Sequence, residues 1–488
     1  MDFQKTCDDI VSAFGTTCDL RTIDLNIGEL KSKFLYIDGY IDTLLFEENI
    51  LKPLKNLEGT KEVTLSLLNE TTMMTTPVEQ IDEVEKAVEL IASGEIILVA
   101  ENSPVMFKYS EKKYTQRAIS EPPVSTVLRG PREGFVEDLK TNMFLIRRRL
   151  ATPKLTFELL DAGRYTRTKI AVCFIDGIAE KRTIDRIKRQ IKSIDIDGIV
   201  ESSYIARFLE KNKLSLFSQV GSSEKPDIVV GKMLEGRVAI IVDGSPSVLT
   251  LPFLLYENFQ MSEDYYIKSY RASMLRFVRL FAFSFSLLLP AVYVALQEHQ
   301  YQLFPLKFLL SSLGSIYAIP LSATLEMLLI MAIFEILNET SIRMPRYVSM
   351  ALSVVGAIVL GEAAVSAGLF SISAVIIVAV STVGIYCVPD EINSSNILRF
   401  VFVGIAGVLG IVGVILAVVA LIAYVCSVNS YGTSFMSPYA PALLHDWQDG
   451  VFKAQIEEFE ERPLSLPTQN RTRQRPAHKQ ARQDEEDK

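Results

Sequence analysis

The spacing of apolar positions changes character near residue 270. Before it, short apolar runs alternate with amphipathic stretches. "KFLYIDGYIDTLLFEENILKPL" from Lys33 and "KIAVCFIDGIAEKRTIDRIKRQI" from Lys169 each give an apolar run, an Asp-Gly pair and a helical pattern. A buried strand, a turn and a crossover helix predict that order. A later apolar run can pair with each: "EIILVAEN" from Glu95 and "RVAIIVDGSP" from Arg237. The echo is short and points to duplication. The expected fold class is an α/β N-terminal region of two subdomains followed by an all-α multi-span transmembrane domain. The expected boundaries are 1–120 and 155–265 for the soluble α/β subdomains, 121–154 for a joining segment, 266–430 for the transmembrane domain and 431–488 for the C-terminal tail.

After residue 270 the apolar runs approach the roughly 20 residues that a bilayer-spanning helix requires. Leu275 to Leu296 is the first predicted span, interrupted by Pro290, and Lys268, Arg271, Arg276 and Arg279 flank or enter its start as cytoplasmic flanks do. "LFPLKFLLSSLGSIYAIP", from Leu303, is too short and polar to cross and reads as re-entrant or interfacial. Further spans are expected near Leu321–Leu337, Val348–Val365, Phe370–Val388 and Phe400–Val425. Five spans would leave the C-terminus outside and a sixth would return it inside. After Val451 the chain becomes polar and charged, and "TQNRTRQRPAHKQARQDEEDK" is expected to be disordered.

Between the soluble units, Phe135, Leu139, Met143, Ile146 and Leu150 recur at helical spacing. Glu133, Glu137 and Asp138 lie in the first turns of this predicted helix and Arg147, Arg148 and Arg149 in its last, the order that complements a helix dipole. With Arg129, Gly130 and Pro131 ahead of it, the segment reads as a rigid joining element. Reversing the charge of Arg148 is expected to weaken assembly.

Several carboxylates fall inside the apolar runs. Glu326, Glu335 and Glu362 are candidates for a cation path, since an ionised group at membrane depth must face protein or water. Glu339 and Arg343, four positions apart, read as an interfacial charge pair. Gly404, Gly407, Gly410 and Gly413 recur at intervals of three and form a predicted helix-packing strip. Asp38, Asp176 and Asp243 each precede a glycine at a strand end, where turn formation outweighs ligand binding in the absence of a phosphate loop.

Composition sharpens this picture. The 488 residues are 49% hydrophobic with a formal net charge of −8, which with no aromatic-interleaved basic patch argues against nucleic acid. Five scattered cysteines without C-x-x-C spacing fit reduced thiols in a cytoplasmic N-terminal domain. Three distant histidines give no metal spacing, and no nucleophile elbow or Walker lysine occurs. No enzyme, metal or cofactor is expected.

"SEPPVSTVLRGPREGFVEDLKTNMFLIRRRL" resembles the hallmark segment of the A subunits of the GerA family, nutrient germinant receptors of bacterial spores. The similarity continues through "EKPDIVVGKMLEGRVAIIVDGSPSVLTLPFLL", "MSEDYY", "IRMP" and "EAAVSAGL". Met331 stands where many members carry glutamate, Ser341 where glycine is usual and Glu362 where glutamine is usual. The resemblance implies a multi-pass protein of the spore inner membrane, with a transporter-like B subunit expected to hold the nutrient and a lipoprotein C subunit as partners. It also implies a homo-oligomeric ring that opens to monovalent cations when nutrient binds. A non-conducting transducer and a stand-alone transporter are the alternatives; the tail's basic residues could meet anionic lipid.

Overall fold

Two five-stranded sheets form the N-terminal α/β half, and they share one strand order. The first contains β1 (Leu20–Ile27), β2 (Leu30–Ile37), β3 (Glu79–Ile81), β4 (Ile96–Ala100) and β5 (Met106–Tyr109), arranged β1-β2-β4-β5-β3. The second contains β6 (Leu155–Ala162), β7 (Thr168–Ile175), β8 (Gly221–Ser223), β9 (Val238–Val242) and β10 (Val248–Leu251), arranged β6-β7-β9-β10-β8. Each strand of the second sheet thus occupies the place of the strand five earlier in the first. The echoed runs are β2 and β7, and each pairs with the later apolar run, Phe34 with Leu98 and Val172 with Ile240. All of these pairings are antiparallel, so the helices between partners are not crossovers of parallel units. More than one helix lies in each connection, which lets the chain reverse before it pairs.

The computed structural model describes residues 2–57, 63–72, 78–111, 129–303, 319–345, 348–349, 354–356 and 358–474. Most of the expected re-entrant piece, the proline-rich stretch 121–128, and Arg475, Lys479 and Arg482 lie outside them.

The joining helix (Leu139–Arg149) sits between the two units. Leu139, Met143 and Ile146 pack into the core under the second sheet, beside Phe157 and Val229. Phe144 points the other way and meets Tyr40 of the first unit edge to face at 5.1 Å. The helices Lys181–Lys192 and Ser202–Leu209 cover the opposite face of the second sheet with Ile184, Ile187, Ile191 and Ile205. That unit is therefore a sheet between two helical layers.

Between Ser269 and Ser427 the described elements are helical. Two helices, Ser269–Glu298 and Pro389–Ser427, are long and apolar enough to cross a membrane. Between them lie Ala323–Arg343, a π-helical piece Val359–Ala364 and Ile372–Ile385. The last long helix is not straight. Gly410 has φ 62° and ψ −151°, a conformation that glycine reaches at little cost and that no α-helix contains. Near one end Ser394 donates to the Leu216 carbonyl at 2.6 Å, and near the other Tyr424 donates to Ser215 Oγ at 3.0 Å. Thirty residues of straight helix would hold Ser394 and Tyr424 about 45 Å apart. The helix therefore folds back on itself at Gly410, and the expected single span Phe400–Val425 becomes two arms. The bend lies at the end remote from the sheets, where His299 Nε2 lies 2.9 Å from the Gly407 carbonyl and Gln300 accepts from Ile411 N.

The disorder expected from Thr468 onward is corrected as far as Gln474. Thr468 pairs with Ala179 beside the second sheet, and Gln469 donates to the carbonyls of Ile178 and Ala179 at 2.9 and 2.7 Å. Arg462 donates to the carbonyls of Leu234, Asn470 and Thr472. Backbone groups make most of these contacts, so a reading based on side-chain hydropathy misses them. All five cysteines are unpaired.

Candidate functional site

The joining arginines divide into different tasks. Arg147 is 1% exposed and makes a bidentate pair with Asp19, both contacts at 2.9 Å, just ahead of β1. It also donates to the carbonyls of Thr152 and Leu155, both at 2.9 Å, and stacks 5.1 Å from the centre of Phe157. One guanidinium thus binds the first unit to the second. Arg148 and Arg149 share Glu133 instead. Burial raises the pKa of that carboxyl, but the hydrogen bonds from Arg148 and Arg149 outweigh it and leave the pKa below the ordinary glutamate value. Arg148 is half-exposed, whereas the buried contact between the two units is made by Arg147.

The Asp-Gly turns serve the same helix. Asp38 accepts from Lys140 at 3.1 Å and Asp243 from Leu139 N at 3.3 Å, so both grip its first turn. Asp176 is exposed. Gly130, with φ 124°, passes so close to Tyr266 that a Cβ would lie 2.7 Å from the ring, which brings the "RGP" and "MSEDYY" segments together. Arg129 and Pro131 lie on either side of it, Arg129 exposed.

At the foot of the first long helix Lys268 and Arg271 are exposed, but Arg276 and Arg279 of the expected basic flank belong to a buried ion network. Asp264 receives Arg276 Nε at 3.1 Å and both terminal nitrogens of Arg279 at 2.6 and 2.8 Å. Arg276 reaches on to Asp449 at 2.9 Å and the Gly450 carbonyl at 2.7 Å. Tyr265 donates to the other oxygen of Asp449 at 2.8 Å. Burial acts to raise the pKa of Asp264; its hydrogen bond and ion pair with Arg279 outweigh that and hold the pKa below the usual carboxylate range. The network ties the second unit, the helix and the C-terminal segment at one point. Nearby, Arg237 is buried between Glu235 and Glu257.

The helix Ala323–Arg343 brings only some of the carboxylates together. Glu326 is 2% exposed and accepts at 2.5 Å from the backbone N–H of Ser371, the residue whose side chain caps the helix Ile372–Ile385. Glu335 lies two and a half turns on and accepts twice from Asn396 Nδ2, at 2.9 and 2.8 Å. Glu339 pairs with Arg343 on an exposed face. Glu362 is exposed in the π-helical piece, on a different helix from Glu326 and Glu335. Of the glycine strip, Gly407 lies against Thr324, where a Cβ would meet Oγ1 at 2.2 Å; Gly404 faces open space. Gly413 faces Leu409 and Ile405 of its own folded helix, and Gly410 makes the bend.

The family model described as Bacillus/Clostridium GerA spore germination protein matches residues 5–465. The chain belongs to the GerA family. It is 34% identical over 466 residues to spore germination protein KA of Bacillus subtilis, covering 94% of this chain and 86% of that protein. It is 32% identical over 387 residues to spore germination protein GerLA of Bacillus cereus, covering 79% of each. A solved structure, the N-terminal domain of the A subunit of the Bacillus megaterium spore germinant receptor GerK3, aligns with 28% identity and a TM-score of 0.41 over 51% of this chain and 94% of that one.

For this GerA-family chain the sequence reading missed four site residues. Asp19 is a single acidic residue ahead of β1 whose partner lies 128 positions away, and it carried no signal. Asp449 and Asn396 are ordinary polar residues whose partners lie 173 and 61 positions away. Arg399 carried a signal that went unread: it is a lone arginine at the opening of the most apolar run in the chain, in "NILRFVFVG". Among the described residues no group of three metal-ligating side chains occurs.

Proposed function

We propose that this chain is the membrane subunit of a nutrient germinant receptor whose helical half crosses the spore inner membrane six times. In an oligomer with B-type and C-type subunits it forms a nutrient-gated path for monovalent cations. The role in spore germination follows from the family; the path rests on one observation about Glu362. That carboxylate is exposed on a helical piece whose neighbours Val354, Val355, Ile358 and Val359 are also exposed. Against lipid a carboxylate at membrane depth costs at least about 2.5 kcal/mol, whereas against water or a second copy it costs little. The face is therefore one that meets water or another subunit. The fold-back at Gly410 supports an even number of crossings, since the segment after Ser427 returns to the sheets that precede the first long helix. Lys268 and Arg271 at that helix's start support a cytoplasmic soluble half.

The test is potassium flux through membranes carrying the full chain, with Glu335→Gln and Glu362→Gln compared with the parent. Each change is expected to reduce flux by about tenfold, the scale of a 1.4 kcal/mol barrier change. Unchanged flux in both would sink the path. A second reading, a transducer that conducts nothing, is favoured by Glu326, whose carboxylate is already committed to the backbone N–H of Ser371.

A further inference from the structure

Arg399 is the arginine that the path leaves unexplained. It lies on the first arm of the folded helix and is 4% exposed, surrounded by apolar residues such as Leu398 and Phe402. Its Nη2 donates to Thr382 Oγ1 at 3.4 Å, at the long limit of a hydrogen bond. Its Nε has no hydrogen-bond partner among the described residues. A guanidinium stays charged at any ordinary pH, and a buried charge with unspent donors is costly. Such a group persists where it has a task.

Arg399 and Glu335 line the same cavity, together with Asn338, Tyr386 and Asn396. The cavity holds about 10 Å³, room for roughly one water. Asn396, one turn before Arg399, spends its amide on Glu335. A carboxylate and a guanidinium thus face one water-sized space without pairing directly.

We propose that Arg399 is a tethered countercharge for Glu335 that stands in the cation path and holds it closed. The closing role rests on the proposed cation path; the pairing of charges does not. While the guanidinium is in place it neutralises Glu335 and repels a mobile cation at the constriction. The arm that carries it is anchored through Ser394 to Leu216 of the second soluble unit, five positions before Arg399. A displacement of that unit draws directly on the arm, withdraws the guanidinium and exposes Glu335 to a diffusible cation.

The experiment uses the full chain in proteoliposomes with potassium as the probe, comparing the parent, Arg399→Gln and the double variant Arg399→Gln/Glu335→Gln. Arg399→Gln is expected to raise resting flux about tenfold, and the double variant to return it to the parent's level or below. Parent-like resting flux in an Arg399→Gln protein of normal abundance overturns the proposal, as does equal leak in the double variant. Should Arg399→Gln fail to accumulate, recovery of abundance in the double variant supports the charge pairing and continued loss overturns it. A parent that passes no potassium under any stimulus rejects the cation path itself, and the abundance comparison then judges the pairing separately.

Discussion

Ser394 and Tyr424 lie on opposite arms of one folded helix, yet they bond adjacent residues, Leu216 and Ser215, of a single loop in the second soluble unit. The loop therefore holds both feet of a hairpin whose bend touches His299 and Gln300 at the remote end.

Gly410→Ala tests the bend. At φ 62° an alanine is strained, and its Cβ would also lie 2.9 to 3.1 Å from the Gln300 and His299 side chains. The expected loss exceeds about 1 kcal/mol, read as a lower unfolding temperature in detergent. Gly404→Ala, which meets open space, should be neutral or slightly stabilising. Equal effects of the two changes would contradict the fold-back.

Arg147→Ala and Arg148→Ala separate the buried clamp from the exposed one. Removing Arg147 strands Asp19 in a buried site and is expected to cost about 3–5 kcal/mol. Arg148 is half-exposed and shares its partner with Arg149, so its loss should cost less than about 1 kcal/mol. Denaturant unfolding of the full chain measures both, and similar midpoints would refute the division.

Much of the soluble half was legible because its signals are local. The apolar runs of β2, β4, β7 and β9, the Asp-Gly turns and the polarity of the joining helix all lie within a few residues of one another. Antiparallel pairing was not legible, because strand direction depends on how many helices fill a connection. Gly410 was read as part of a packing strip because its spacing fits one; the left-handed backbone that turns the strip into a bend leaves no trace in composition. The Arg276–Asp449 contact joins positions 173 apart, and only folding brings them together.

Asp264 gives the ion network a pH dependence. Its carboxyl titrates below its unfolded value of 3.8, so the network's contribution is complete above that value and is lost as pH falls through the lower folded value. Asp264→Asn should remove this acid limb and leave Arg276 and Arg279 without their shared countercharge. Unfolding temperatures between about pH 5 and pH 2 measure it; a variant whose stability falls as steeply with acid as the parent's would place the titration elsewhere.

Glu326 and Glu335 are expected to fail in different ways. Glu326→Ala leaves the buried Ser371 amide without its acceptor and should cost about 1–3 kcal/mol of stability. Glu335→Gln keeps an acceptor for Asn396, so potassium flux should fall, and stability lost through the uncompensated Arg399 charge should return in Arg399→Gln/Glu335→Gln. Thermal unfolding and flux, measured on the same preparations, distinguish the two; a flux defect without instability at Glu326 would return it to the path.

Thr468 and Gln469 complete the edge of a unit whose partner residues, Ile178 and Ala179, were translated some 290 positions earlier. On the ribosome, the second soluble unit must wait, with that edge uncovered, while every apolar helix between Ser269 and Ser427 is made and delivered. Only a chain whose helices have turned back to the starting side can present the closing segment to it. With the six crossings proposed above, the completed unit would be a record of correct insertion, and a chain threaded with one crossing too few would expose an unfinished surface to cellular proteases.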